Sequence, residues 1–211
     1  MQTRKGQSIE DESMEIIERE IGSHQYKGHE WQIVRRIIHS TADFDFAREN
    51  GVIFHKDAVK SGLEALRAGS NIIVDVNGII GLLNKKNLED YKTSVICDIS
   101  NPAVVKEAMK LDKTRAQTAM RMRAKEMDGS IIVIGNAPTA LLEVIDMIKE
   151  KATRPRLVVG VPVGFVSAAE SKDLLQTIDL PYITNRGRKG GSPCAAAIIN
   201  ALFKIVRESP S

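Results

Sequence analysis

Five short apolar runs, rich in β-branched residues and separated by longer helical patterns, constrain this 211-residue chain more than any other feature. They read NIIVDV at 71–76, SVICDI at 94–99, SIIVI at 130–134 and RLVVGV at 156–161, with a weaker PYIT at 181–184. Runs this short and this apolar are strands covered on both faces, because a strand with one wet face alternates apolar with polar. Between them, apolar residues recur at helical spacing over roughly 56–68, 102–110, 114–127, 137–150, 167–177 and 193–207. The alternation predicts βαβ units: an α/β fold of three layers, a mainly parallel β-sheet flanked by helices on both faces. Two extra N-terminal helices, at about 9–21 and 29–39, precede the first strand. No Pro/Gly/Ser linker, internal repeat or low-complexity tract divides the chain, so a single domain over 1–211 is expected, with loose ends at 1–8 and 208–211.

Composition narrows the function classes. Hydrophobic residues make up 43% of the chain and charged residues 27%, enough apolar material for one substantial core. A net charge of +3 is small, and the few aromatics are not interleaved with Lys/Arg clusters, so no nucleic acid is expected as a partner. An anionic small molecule stays open. The first 13 residues are polar and no apolar run approaches about 20 residues, so neither a signal peptide nor a membrane span is expected. Cys97 and Cys194 form no CxxC pair, which fits a reducing compartment, and the expected location is cytoplasmic.

Three of the strands run into glycine-bearing turns followed by helix starts: GNAPTALLEV from 135, GVPVGFVSAAESK from 160 and NRGRKGGSPCAAAIINAL from 185. The turn chemistry predicts a capping box between Ser167 and Glu170, an N-cap at Ser192 ahead of Pro193, and Pro138 in a first helical turn. In a parallel sheet such turns share the carboxyl edge, where ligands of open α/β folds bind. Free N–H groups at helix N-termini attract anions, and Arg186, Arg188 and Lys189 add charge beside glycines that let backbone approach a ligand. Each turn can equally be a well-capped helix behind a solvated basic loop. No G-x-x-x-x-G-K-[ST] loop and no G-x-G-x-x-G after a strand is present, which favours a free polyanion over a nucleotide.

Candidate chemistry is sparse. Cys194 lies in a first helical turn, but with no histidine near it in sequence it reads as a small core residue. His24, His29, His39 and His55 show no i, i+4 pair, so no metal site is expected. His39 ends an amphipathic stretch, EWQIVRRIIHS, where the helix dipole and a carboxylate such as Asp43 favour its charged form while Arg35 and Arg36 oppose it; a protonated imidazole near neutral pH is the expectation. The residues alone leave it either a helix cap or an acid catalyst.

Taken as whole motifs, RRIIHS, GNAPTALLEVI, GVPVGFVSAAESK and GRKGGSPCAAAIINAL resemble the precorrin-8X methylmutases, also called precorrin isomerases or cobalt-precorrin-8 methylmutases, of cobalamin biosynthesis. The likeness extends from SMEIIEREIG through DKTRAQTAMR to the last helix. It implies an α/β homodimer that moves a methyl group from C11 to C12 of a corrin precursor, with His39 as proton donor. It also implies no cofactor, any cobalt being carried by the substrate. The corrinoid tetrapyrrole substrate bears acetate and propionate arms, the polyanion that converging helix N-termini and arginines would suit. By the family's pattern Ser13 and Arg115 line the pocket, although their residue types also suit a helix N-cap and a solvated first-turn arginine. Arg36, Asn136, Thr139 and Ser167 join Arg186, Arg188 and Lys189 as expected substrate-binding residues, and neighbouring cobalamin-pathway enzymes are possible further partners. Glu170 and Lys172 read as a structural pair, and Asp43 as an orienter of His39.

The chain departs from the family's pattern at DVNGIIGLL, 75–83, where Gly78 replaces a usual methionine and Leu82 a usual glycine; STADFDF after His39 is also unusually acidic. Two rival readings share the anionic edge: a corrinoid carrier without chemistry, and an enzyme acting on a phosphorylated small molecule.

Overall fold

The computed structural model describes residues 3–49 and 51–209. Six strands form one sheet: β1 (Val52–Phe54), β2 (Ile72–Val74), β3 (Val95–Ile96), β4 (Ile131–Ile134), β5 (Leu157–Gly160) and β6 (Tyr182–Asn185). Their spatial order is β1-β6-β5-β4-β2-β3, parallel throughout except for β1, which pairs antiparallel with β6. The mainly parallel α/β sheet is as the apolar runs predict. β1 escapes such a reading because three residues carry no period.

The period-2 alternation of a strand divides the core in two. Ile72, Val74, Ile131, Val133, Leu157 and Val159 face one layer, made by α1 (Arg4–Ile21), α2 (His29–Thr41), α3 (Ala58–Arg67), α4 (Asn77–Leu82) and α10 (Ser192–Glu208). Ile73, Ile132, Ile134 and Val158 face the other, where α7 (Arg115–Met122), α8 (Pro138–Lys149) and α9 (Ala168–Leu175) pack. All ten of these strand residues are at most 1% exposed, as a sheet covered on both faces requires.

Several boundaries differ from the sequence reading. Helix α1 starts at Arg4, where Thr3 Oγ1 accepts from the Gly6 N–H at 3.1 Å, so most of the stretch 1–8 expected to be loose is helical; residues 1, 2, 210 and 211 of the two expected loose ends lie outside the described residues. Two short helices, α4 and α5 (Lys85–Asp90), fill a stretch to which the helical periodicity assigns no element. After α6 (Pro102–Leu111), the helix expected over 114–127 is α7 followed by a 3-10 turn, Ala124–Met127, that buries Met127. Pro138 opens α8 as expected, but the other two predicted caps do not form. Ser167 sits in the left-handed region at φ 60° and its hydroxyl caps nothing, and Gly191, not Ser192, is the N-cap of α10. Among the described residues no helix is long and apolar enough to cross a membrane.

Candidate active site

The carboxyl ends of β4, β5 and β6 place the three glycine turns side by side, and the glycines are there for contact. A Cβ on Gly190, at φ +155°, would lie 2.2 Å from the Val161 carbonyl oxygen, and one on Gly135 would lie 3.0–3.2 Å from Ala195 and Ser192. The turns are further joined by backbone bonds from Gly191 N–H to Val161 O (2.9 Å) and Gly164 N–H to Arg188 O (3.2 Å).

One turn is not free to bind an anion. Chain order reverses between β2 and β4, the crevice where doubly wound folds take ligands. Asp75, at the end of β2, fills it: its carboxylate accepts from the N–H groups of Gly135 (3.0 Å), Asn136 (2.8 Å) and Ala137 (2.7 Å). Burial pushes the Asp75 carboxyl up, and these three donors oppose it by favouring the charged form. Anion binding at the start of α8 is thus pre-empted by the chain's own carboxylate, and the Asn136 and Thr139 side chains are the turn's polar groups outside that network. Thr139 Oγ1 lies 2.8 Å from Thr114 Oγ1, which places the exposed Arg115, first residue of α7, beside the start of α8.

On the other flank, Arg186 and Arg188 are exposed, the latter with its guanidinium 5.6 Å from the Phe165 ring centre. Lys189 is instead ion-paired: its ammonium binds Asp43 at 2.7 Å and Asp45 at 2.6 Å. The acidic segment after His39 is therefore a clip that fastens the end of α2 to the last glycine turn. Asp43 does not orient His39, as the sequence suggested, because its carboxylate serves Lys189 and the N–H of Asp45.

His39, half-buried in the last turn of α2, is surrounded electrostatically by Arg36, Glu10 and Lys204. Glu10 accepts from Arg36 Nη1 at 2.9 Å and lies 3.8 Å from Lys204 Nζ. Ser13, one turn further along the same face of α1, donates its hydroxyl to Ile9 O at 2.7 Å and is mid-helix rather than an N-cap. Burial lowers the imidazole's pKa and Arg36 adds to this, with Glu10 opposing and Lys204 reinforcing. The expectation of a charged His39 near neutral pH is corrected accordingly for the free subunit: its opposing carboxylate is Glu10, and burial with Arg36 outweighs it.

The family model for precorrin-8X methylmutase matches residues 8–205. The chain belongs to the precorrin-8X methylmutase family. It is 46% identical over 200 residues to the cobalt-precorrin-8 methylmutase of Priestia megaterium, covering 95% of this chain and 88% of that one. It is 44% identical over 211 residues to the protein of the same name from Leptospira interrogans, covering 96% and 95%. A crystal structure of precorrin-8X methyl mutase from Thermus thermophilus superposes with a TM-score of 0.87 at 38% identity, over 95% of this chain and 98% of that one. A methylmutase is an isomerase, so this chain is an enzyme of that class.

Within this methylmutase, three site residues escaped the sequence reading. Asp75 had a signal, an acid ending a buried strand just before a helix. Glu10 had none beyond its helical face. Lys172 had one that was misread: Ala168, Ser171, Lys172 and Leu175, spaced i, i+3, i+4, i+7, form the buried stripe of α9, so Lys172 points into the core and is no partner for the exposed Glu170.

Proposed function

We propose that the chain catalyses the redox-neutral shift of a methyl group from C11 to C12 of cobalt-precorrin-8 or precorrin-8X, giving cobyrinate or hydrogenobyrinate in cobalamin biosynthesis, with His39 as general acid. The observation that carries the reading is the clip from Asp43 and Asp45 to Lys189, which ties the end of the His39 helix to the turn bearing Arg186 and Arg188. A carboxylate-rimmed macrocycle held by those arginines, by Arg115 and by the hydroxyls of Thr139, Ser167 and Ser13 would gain about 1.5–3 kcal/mol per charge-assisted bond. Its carboxylates would also offset Arg36 and Lys204 and raise the proton affinity of His39 on binding. Proton donation to the conjugated ring then lowers the barrier to migration, an effect typically of about 100- to 10,000-fold.

The relatives from Priestia megaterium and Leptospira interrogans carry cobalt in their names, unlike the Thermus thermophilus protein, and their higher identity to this chain favours the cobalt form; the metal then belongs to the substrate. The reaction moves no electrons to or from the protein, so it needs no redox cofactor. We read the working form as a homodimer, as the likeness to the family implies and because one 211-residue subunit would struggle to enclose so broad a ring, and cytoplasmic with the neighbouring pathway enzymes as partners for product transfer.

The test is incubation of wild type and His39→Ala with cobalt-precorrin-8 and with precorrin-8X, followed by absorbance. Wild-type turnover with a loss of at least about 100-fold in the variant is expected. Binding without turnover by wild type identifies a carrier, and absence of any spectral change points to a phosphorylated small molecule instead.

A further inference from the structure

Lys172 is the buried cation among the described residues, at 0% exposure, and it has no carboxylate in an ion pair with it. Its ammonium donates to the carbonyl oxygen of Lys189 at 2.7 Å and to Asn185 Oδ1 at 3.3 Å. Asn185, equally buried, donates its amide to the carbonyls of Arg186 and Lys189, both at 2.9 Å. Two buried side chains thus hold the 186–189 backbone from beneath while Arg186 and Arg188 project from its top. A cation in the core whose hydrogen bonds go only to neutral oxygens is costly, and hydrogen bonds to Asn185 alone could have been made by an uncharged residue.

We propose that Lys172 is the positioning residue of the carboxylate-binding turn at 186–191: it fixes the turn through the Lys189 carbonyl and sets an unscreened positive charge beneath the carboxylates that Arg186 and Arg188 bind. This rests on the reading of the site given above. A charge in the low-dielectric core acts on anions across the turn more strongly than an exposed lysine, whose field water and salt damp. Lys189 cannot supply that field, since Asp43 and Asp45 neutralise it.

The charge is also conditional. Burial lowers the Lys172 pKa to about 8, opposed by Cys194 of α10 and by Asp173 on its own helix. Cys194 is itself pushed up to about 12 by burial and stays neutral there. From β6 it bonds to the uncharged Asn185. Lys172 is therefore charged at pH 7 and neutral by about pH 9.5, while the ligand's carboxylates and the arginines keep their charges over that range. Neutral lysine still donates hydrogen bonds, so a purely structural anchor would leave affinity independent of pH.

Cobyrinic acid, titrated into the full chain and followed by absorbance, is the probe. In a His39→Ala background, which removes the imidazole's own proton linkage, we expect Kd to rise about tenfold between pH 7 and 9.5, and the added Lys172→Met to bind about tenfold more weakly at pH 7 with no such dependence, the same Lys172-dependent slope lying on top of that of His39 in wild type. A Kd that stays constant over that range in the His39→Ala protein overturns the proposal without need of any change at Lys172, as does a folded protein with the added Lys172→Met that matches His39→Ala in affinity and pH profile. Should wild type fail to bind cobyrinic acid at every pH, the reading of the site falls and the proposal with it; binding with a flat profile in the His39→Ala background removes the proposal alone.

Discussion

Lys189 and Asp43, 146 residues apart in sequence, meet at 2.7 Å, and their contact joins the end of the helix that carries His39 to the turn that carries two arginines. Both partners are partly exposed, so the ion pair adds little to global stability. Its effect is local. Lys189→Ala is expected to speed amide exchange over 43–47 at least tenfold and to lower kcat roughly tenfold with a smaller change in KM. Unaltered exchange in that segment after the substitution would count against the clip.

His39 should titrate below its ordinary value of 6.5 in the free protein, because burial and Arg36 both favour the neutral ring. Arg36→Met is expected to raise that value and Glu10→Gln to lower it further, as read by histidine NMR. The general-acid role proposed for His39 requires the protonated ring, so on that reading kcat/KM should fall as pH rises through the free-enzyme value, and kcat should fall at higher pH because bound carboxylates would hold the proton.

Glu143 on α8, 2% exposed, accepts from Gln117 at 2.6 Å and pairs with Arg121 and with Lys113 at 3.4 Å. Burial alone would raise its pKa, but these three partners outweigh burial and hold it below 4.5. A carboxyl depressed in the fold contributes stability above its unfolded value and loses it as pH falls through the folded one. Glu143→Gln should cost about 1–3 kcal/mol at pH 7 and flatten the loss of stability below pH 4.5, measurable by urea unfolding.

Two glycines should respond oppositely to a methyl group. Gly190→Ala forces a Cβ into the Val161 carbonyl at positive φ and is expected to cost about 2 kcal/mol or more and to abolish ligand binding. Gly78→Ala, whose nearest neighbour is Ser192 Oγ at an ordinary 3.5 Å, should gain about 0.5–1 kcal/mol within α4. Thermal melting distinguishes them.

The sheet was legible because strands buried on both faces leave unbroken apolar runs, and the helices because their faces are periodic. What escaped lacks such a signature. β1 is three residues long, α4 and α5 are six each, and the failed caps at Ser167 and Ser192 yielded to glycine turns whose geometry depends on contacts across the sheet edge. His39 and Arg36 could be named from motifs, but not the electrostatics around them. Glu10 and Lys204 approach from helices 29 residues before it and 165 after it, so only the fold reveals that Arg36 and burial prevail.

Asp75 has a consequence for which guests this edge admits. By seating its own carboxylate where the topology would welcome a small anion, the protein leaves the centre of the rim saturated and its free cations on the margins, Arg115 to one side and Arg186 with Arg188 to the other. A compact anion is denied the start of α8, whereas a wide molecule with acidic groups around its circumference would reach both margins together, so the filled centre favours breadth before any catalytic group takes part.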